Sequence, residues 1–325
     1  MARSARLRYD RDLCYYHLMN RVAGDPDFLP FGEIEKERFF RLVLELATLY
    51  CLDLISVVVM SNHYHIVCAA PAEAPDKEEI QRRWRAYYVP KNRIEPDWDD
   101  PEVVAAWGAR LRDISKFCHD LQQRFTCWYN RTRPKRRRGR LWADRFKNTI
   151  LQSGEAVWDC ARYVEMNPVR AEICPIPGDY RFSTWGRYSG SGTHPFAESA
   201  VRHLRPYLHQ FYGDRAEDLD AAAVLREFEA DMTRLTVAEA GGSSEEIAAA
   251  ERAARKGSGF ALTVRRRVRY WSDGAIIGSK QFVRELAAEL IHRERAAKKR
   301  LARSRSAESG ALARLHAWRF LRADR

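Results

Sequence analysis

The chain has 325 residues, with 56 Lys plus Arg against 44 Asp plus Glu, for a formal net charge of +12. That length buries a sizeable core and exceeds one typical domain, and the positive field favours polyanionic partners, bound in a salt-dependent way. No run approaches the ~20 apolar residues of a membrane span, no apolar stretch follows residues 1–8 as a signal peptide requires, and the seven cysteines stand singly without a CxxC pair, so a soluble, cytoplasmic protein without a disulfide framework or zinc cage is expected.

In chain order, residues 13–20 read as a first strand. Residues 33–50 carry Phe39, Phe40, Leu42, Val43, Leu46, Leu49 and Tyr50 at helical spacing. Two apolar runs, 54–60 and 63–69, flank Ser61-Asn62 and read as a β-hairpin. Side chains alternate on a strand, so His63 and His65 share one face and Tyr64 takes the other. Two imidazoles side by side form a two-point metal clamp, although at this spacing solvent-facing or core-satisfied histidines are the commoner outcome. Residues 71–109 are punctuated by Pro71, Pro75, Pro90, Pro96 and Pro101 and hold the acidic Asp97, Asp99 and Asp100. They read as an inserted excursion whose helical part is 77–88.

Residues 113–130 suit a second helix with Ile114, Phe117, Cys118, Leu121, Phe125 and Trp128 inward. The almost wholly basic run 131–140 comes after it, of a kind that is usually a solvated loop, and 140–151 reads as a further strand. Next comes a helix with Ser153 as N-cap and Glu155 in its first turn, where the helix dipole favours an acid. Pro168 disfavours helical geometry in the residue before it, so this helix should end near Asn167. Tyr163 and Asn167, four apart, lie on one helical face. A tyrosine hydroxyl can be a nucleophile, and an amide oxygen one turn away a third metal ligand. The plainer reading is an amphipathic tyrosine at a helix–sheet interface with Asn167 as C-cap. Strand, helix, hairpin, helix, strand, helix is an α+β plan with helices packed on one face of an antiparallel sheet.

Beyond it, residues 200–235 look helical and lead to a Gly241-Gly242-Ser243-Ser244 linker. Ser243 and Glu246 form a capping-box pattern. An arginine-dense stretch, 262–271, and a Ser272-Asp273-Gly274 turn precede residues 276–280 and a helix from Gln281 to about residue 300. Ser279 caps that helix, with Phe282, Val283, Leu286 and Leu290 inward. A Gly-containing turn before a basic helix suggests a helix-turn-helix, or a basic helical hairpin that packs on the preceding domain.

Four segments occur in order: Tyr16-His17-Leu18-Met19-Asn20-Arg21, Met60-Ser61-Asn62-His63-Tyr64-His65, Gly139-Arg140-Leu141-Trp142-Ala143-Asp144-Arg145-Phe146-Lys147, and Tyr163-Val164-Glu165-Met166-Asn167-Pro168-Val169-Arg170-Ala171. Together they resemble the REP-associated tyrosine transposases, one-tyrosine members of the HUH (His, hydrophobic residue, His) family. The likeness runs from about residue 8 to residue 190 and closes on Tyr180-Arg181-Phe182-Ser183-Thr184-Trp185. The stretch 71–109 is longer than this family leads one to expect.

The resemblance implies a ferredoxin-like antiparallel sheet carrying a single-stranded-DNA nuclease and strand transferase. His63 and His65 would then be metal ligands, Tyr163 the nucleophile, and Asn167 would stand where relatives place a polar side chain completing the metal site. Mg²⁺ or Mn²⁺ suits phosphate oxygens and mixed N/O ligation. The expected partner is single-stranded DNA with hairpin structure, tracked by Arg133, Lys135, Arg136, Arg137, Arg138, Arg140, Arg145 and Lys147. Trp128, Tyr129 and Trp142 would stack on unpaired bases or belong to the core. In the insertion, Arg82, Arg83, Trp84, Arg85, Tyr87 and Tyr88 would contact DNA, or the segment is a solvated loop. The expected division is a nuclease domain at 1–192 with its insertion at 71–109, a helical connector at 193–240, and a mostly helical, basic C-terminal region at 241–325. Monomer and homodimer stay open, as do two other functions: a replication initiator or relaxase-like nickase, and a non-catalytic DNA-binding regulator.

Overall fold

The computed structural model describes residues 13–25, 27–239, 271, 275–296, 304–305 and 316–318. Its centre is a sheet of β1 (Leu13–Arg21), β2 (Asp53–Val59), β3 (His63–Pro71) and β4 (Lys147–Leu151) in the spatial order β2-β3-β1-β4. All three pairings are antiparallel. With a helix between β1 and β2 and others between β3 and β4, this is the ferredoxin-like α+β arrangement. The register sets His17 opposite both Val67 and Thr149, and His65 opposite Met19 and Val58.

Helix α1 (Glu33–Leu49) starts where the Glu35 carboxylate accepts from the Gly32 N–H at 2.9 Å. Its stripe of Phe39, Phe40, Leu42, Val43, Leu46 and Leu49 is buried. After the insertion helices α2 (Lys77–Tyr88) and α3 (Pro101–Leu111) comes α4 (Ile114–Thr132), capped by Asp113, whose carboxylate accepts from the Ser115 N–H at 2.6 Å. Helices α1 and α4 cover the face on which Tyr64 meets Phe39, at 4.8 Å between ring centroids, and Trp142, at 5.5 Å.

The other face is covered too. Helix α5 (Glu155–Glu165) crosses β2 and β3, followed by the single turn α6 (Asn167–Arg170), α7 (Thr184–Ser191), α8 (Ala197–Tyr212) and α9 (Ala221–Glu239). The one-face plan therefore describes α1 and α4, while a second helical layer closes the opposite side. That layer explains why β2 and β3 are buried along almost their whole length rather than alternating.

Several local expectations shift. The strand expected over 140–151 begins only at Lys147; before it the chain is irregular, touching β1 through a Val22–Trp142 bridge. The α5 N-cap is Gly154 at φ 72°, not Ser153. Helix α5 ends at Glu165, and Pro168 sits in the first turn of α6, where its missing N–H costs nothing. The helical stretch expected over 200–235 is broken at Gly213, φ 56°, into α8 and α9.

The insertion is neither a solvated loop nor an open aromatic surface. Trp84 and Tyr87 are buried, and Trp84, Trp98, Tyr88 and Trp107 form one ring cluster. Arg82 and Arg83 pair with Glu79, Arg85 pairs with Glu95, and Arg83 also donates to the Ala47 and Tyr50 carbonyls at the end of α1. Arg83 thereby ties the insertion to α1, while the other pairs brace the insertion internally.

In the C-terminal region, residues 276–278 form β5 (Ile276–Gly278), which pairs parallel with β4 through Ile150↔Ile276 and Leu151↔Ile277. Beyond it the sheet continues through β7 (His316–Trp318) to β6 (Ser304–Arg305). Helix α10 (Lys280–Ala296) comes directly after β5; the Ser279 hydroxyl accepts from the Phe282 N–H at 3.2 Å, and Val283, Leu286 and Leu290 are buried, as expected. Strand β5 stands directly before α10, and residues 262–270 of the expected helix-turn-helix lie outside the described residues. The capping box at Ser243 and Glu246 and the turn at 272–274 lie outside the described residues. Among the described residues no helix is long and apolar enough to cross a membrane.

Candidate functional site

His17 on β1, His63 and His65 on β3 and Thr149 on β4 lie on the sheet face that α5 crosses, as the period-two alternation of paired strands requires. Helix α5 lays Tyr163 over them. The Tyr163 ring stands edge-on to His65, with centroids 5.8 Å apart, and to His17 at 6.1 Å; His63 and His65 are 5.1 Å apart. The expected nucleophile and both expected imidazoles are thus brought together, although nearly 100 residues separate them in the chain.

Burial leaves the imidazoles uncharged. Desolvation pushes His17 down to about 4, and desolvation with the nearby Arg21 charge does the same to His63. His65 is lowered well below its ordinary value, chiefly by burial, with lesser repulsion from His17 and His63. Neutral imidazole is the form that ligates metals. Each ring is also held by a neighbour. His65 Nδ1 lies 2.9 Å from His17 Nε2, and His17 Nδ1 lies 3.1 Å from the Trp271 carbonyl oxygen. His63 Nδ1 lies 2.7 Å from the Asn62 side-chain oxygen, while the Asn62 amide nitrogen donates to the Phe28 carbonyl at 3.2 Å.

Asn167 takes the plainer of its two expected roles. Its amide nitrogen donates to the Tyr163 and Val164 carbonyls, at 3.0 and 3.1 Å, which caps the end of α5 and leaves the side-chain oxygen as the atom able to meet a cation. Among the described residues no group of three or more His, Cys, Asp or Glu is arranged to hold a metal ion. A cation here would rest on two imidazoles and an amide oxygen, with substrate oxygens completing its shell. That donor set fits Mg²⁺ or Mn²⁺, and offers no thiolate.

The helix that carries Tyr163 is anchored on both sides. Glu165, two residues on, accepts from the Ser56 hydroxyl of β2 at 2.6 Å and from the Trp185 N–H of α7 at 3.1 Å. Burial pushes its carboxyl up to about 7, against the lowering effect of those hydrogen bonds. Arg162, fully buried, pairs with Asp159 at 2.6 Å and with Asp231 of α9, which also pairs with Arg234 and accepts from the Trp158 indole at 2.8 Å. Arg170 donates to the Tyr163 carbonyl at 3.1 Å and sets its guanidinium 5.2 Å from the Tyr163 ring centre.

Sequence reasoning passed over three participants: His17, Thr149 and Trp271. The Trp271 indole stacks on Tyr163 with centroids 5.8 Å apart at 25°, and its carbonyl also accepts from the Thr149 hydroxyl at 3.4 Å. His17 was visible within the Tyr16-His17 segment, but its side of the sheet depends on a register that one sequence does not give. Nothing in the sequence marked Trp271.

The basic run sits at the His63 end of the sheet. Ala143 N–H donates to the Arg21 carbonyl, Ala23 N–H to the Leu141 carbonyl and Val22 N–H to the Asn62 carbonyl, so the exit of the basic loop, the end of β1 and the hairpin turn are bonded together. Its members divide. Arg133 is half-buried and tied to α1, paired with Glu35 and lying 4.3 Å from the Tyr129 ring centre. Arg137 braces the loop by donating to the Asn130 side chain and the Arg140 carbonyl. Lys135, Arg136, Arg138, Arg140, Arg145 and Lys147 are exposed. Arg136, Arg137 and Arg138 join Arg131, Asn130 and Cys127 around a basin of about 530 Å³. Tyr129 and Trp142 belong to the core and Trp128 packs against it, so the expected stacking platform is absent there.

No protein-family model matches the chain, and no curated protein matches it. A solved structure described as the REP-associated tyrosine transposase bound to a REP hairpin overlaps 60% of this chain and 90% of its own, at 15% identity and a TM-score of 0.39. An overlap that loose says nothing about chemistry.

Proposed function

We propose that this protein cuts and rejoins single-stranded DNA through a covalent 5′-phosphotyrosine on Tyr163, as a transposase-type enzyme of the HUH class. The observation that carries the reading is the meeting of Tyr163 with His65 and His63 on one sheet face, its ring 5.8 Å from that of His65. This meeting favours a reacting centre over a non-catalytic DNA-binding regulator. The exposed basic residues at the same end of the sheet support a polyanionic substrate.

In this reading the Tyr163 hydroxyl oxygen attacks phosphorus and the bond to the 3′ oxygen breaks. The phenol proton is lost, the departing oxygen takes one up, and the strand ends as a free 3′-hydroxyl beside a 5′-phosphotyrosine. Because the phosphodiester energy is stored in the new bond, another 3′-hydroxyl reverses the step and joins the strands without nucleotide hydrolysis. Tyr163 is held for attack by α5, which Glu165 ties to β2 and α7 and Arg162 ties to α9. Arg170 brings positive charge to the same helix end, where it favours a phosphate. His63, His65 and the Asn167 oxygen would hold a divalent cation, which when bound polarises the scissile phosphate and offsets its developing charge. Lys135, Arg136, Arg138 and Arg140 would track the backbone phosphates.

The test incubates the protein with labelled single-stranded hairpin oligonucleotides, with Mn²⁺ or EDTA, beside Tyr163→Phe. A denaturing gel should show label retained on the wild-type protein with Mn²⁺ only, and none on the variant. Retention by Tyr163→Phe would assign the nucleophile elsewhere.

A further inference from the structure

We propose that His17 and Asn62 are positioning residues that set His65 and His63 in the Nδ1–H tautomer, so that both rings present a bare Nε2 lone pair at the same centre. This role deepens the phosphotyrosine reading and rests on it for the identity of the centre.

Two carbonyl groups, which can only accept, fix the protons from outside the site inward. His17 Nδ1 faces the Trp271 carbonyl oxygen at 3.1 Å, so the His17 proton is on Nδ1. A neutral ring carries one N–H, so His17 Nε2 is an acceptor. It faces His65 Nδ1 at 2.9 Å, so His65 must donate from Nδ1, and its Nε2 is bare. The second relay starts at Phe28. Its carbonyl accepts from the Asn62 amide nitrogen at 3.2 Å, which settles the orientation of that carboxamide and turns its oxygen to His63 Nδ1 at 2.7 Å. His63 therefore also donates from Nδ1, leaving Nε2 bare. At pH 7.5, above the ordinary imidazole value of about 6.5, each ring is neutral and has a single N–H to place.

The two relays share no residue, yet each leaves the same nitrogen without a proton. Neither His17 nor Asn62 would touch the cation. Each fixes ring orientation and basicity from behind, in the manner of the outer-shell partners of metal-ligating histidines. The relay also gives His17 a role that core packing does not: an apolar residue of similar volume would fill its space but leave His65 Nδ1–H without an acceptor.

The experiment uses the metal-free full-length protein with ¹⁵N-labelled histidine. Long-range ¹H–¹⁵N correlations of the imidazoles at pH 7.5 report which nitrogen of each ring is protonated, with His63 and His65 assigned from single His→Gln variants. The expected result is Nδ1–H with bare Nε2 for both; Nε2–H on either ring overturns the proposal. Mn²⁺ titration then compares His17→Phe, which removes the acceptor, with His17→Gln, whose side-chain oxygen can replace it. Affinity should fall 10- to 100-fold in His17→Phe and be largely restored in His17→Gln, with the far-ultraviolet spectrum unchanged. Equal affinity in His17→Phe and wild type overturns the positioning role. If His17→Phe does not fold, the wild-type tautomers still decide. A wild-type protein that shows the expected tautomers but binds no Mn²⁺ supports the relays and removes the metal reading, so the two failures are distinguishable.

Discussion

Glu165→Gln should change how stability depends on pH, by an amount set by its surroundings. Glu165 lies on α5 inside the protein, holding the Ser56 hydroxyl and the Trp185 N–H, and burial raises its carboxyl from an ordinary 4.5 to about 7. Between those values the folded chain keeps a proton that the unfolded chain has released. Its contribution to stability is therefore intact below about pH 4.5 and is lost as pH rises towards and through 7. At about 1.36 kcal/mol per pKa unit the interval amounts to about 3 kcal/mol.

Glutamine is the protonated acid in outline: its oxygen accepts from the Trp185 N–H while its amide group donates to the Ser56 oxygen. The variant should thus match wild type near pH 4.5 and gain on it by about 3 kcal/mol at pH 8. The raw profile of either protein is mixed, because the histidines of low folded pKa, His17, His63 and His65, act in the opposite direction: they favour the unfolded chain as pH falls below 6.5. Only the difference between the two proteins isolates Glu165. Urea unfolding followed by far-ultraviolet circular dichroism at several pH values measures it. A difference that stays flat to within about 0.5 kcal/mol from pH 5 to pH 8 would refute the buried, proton-holding carboxyl.

Asp231→Ala leaves the buried Arg162 guanidinium with Asp159 alone, strands that of Arg234 and removes the acceptor of the Trp158 indole; it should cost about 3–5 kcal/mol in urea unfolding, and a loss below about 1 kcal/mol would mean that water already serves those groups. The double variant Arg136→Ala with Arg138→Ala should flatten the salt dependence of single-stranded DNA binding by about 1.4 in log–log slope, at about 0.7 per phosphate contact. Arg133→Ala, whose guanidinium is already paired with Glu35, should leave that slope alone; fluorescence anisotropy across a salt series reads both, and a flattened slope in Arg133→Ala would contradict the division of the basic run. Gly186→Ala would put a methyl group 1.9 Å from the Tyr180 carbonyl oxygen, so α7 must shift at a cost of about 1–3 kcal/mol or more; a wild-type melting temperature would show that α7 does not pack there.

What the sequence made legible was mostly local. The strand–helix–hairpin order, the α1 stripe, the inner face of α10 and the shared face of His63 and His65 all come from periods of 2.0 and 3.6 residues. Boundaries governed by a single backbone angle were harder: Gly154 at φ 72° displaces Ser153 as the α5 cap. Partnerships were harder still. Arg133 has the look of a phosphate contact until Glu35 is found beside it, 98 residues away in the chain. Trp84 and Tyr87 look like DNA contacts until the insertion folds them inward. The encounter of Tyr163 with His65 was expected from a resemblance, since no periodic pattern reports which helix face meets which strand. His17 and Trp271 lay beyond reach for the same reason.

The parallel pairing of β5 with β4 has a consequence for how the protein comes into being. His17 emerges early from a ribosome, but the carbonyl it needs lies 254 residues further along. At roughly 5–20 residues per second, the four-stranded sheet, complete at Leu151, waits on the order of ten seconds for the Trp271 carbonyl, and Tyr163 waits about as long for its indole cover. Tyr163 and the imidazoles can come together during that interval, yet their final setting waits for Trp271. A chain that stops short of Trp271 carries every residue of the proposed chemistry without the backbone atom that orders it.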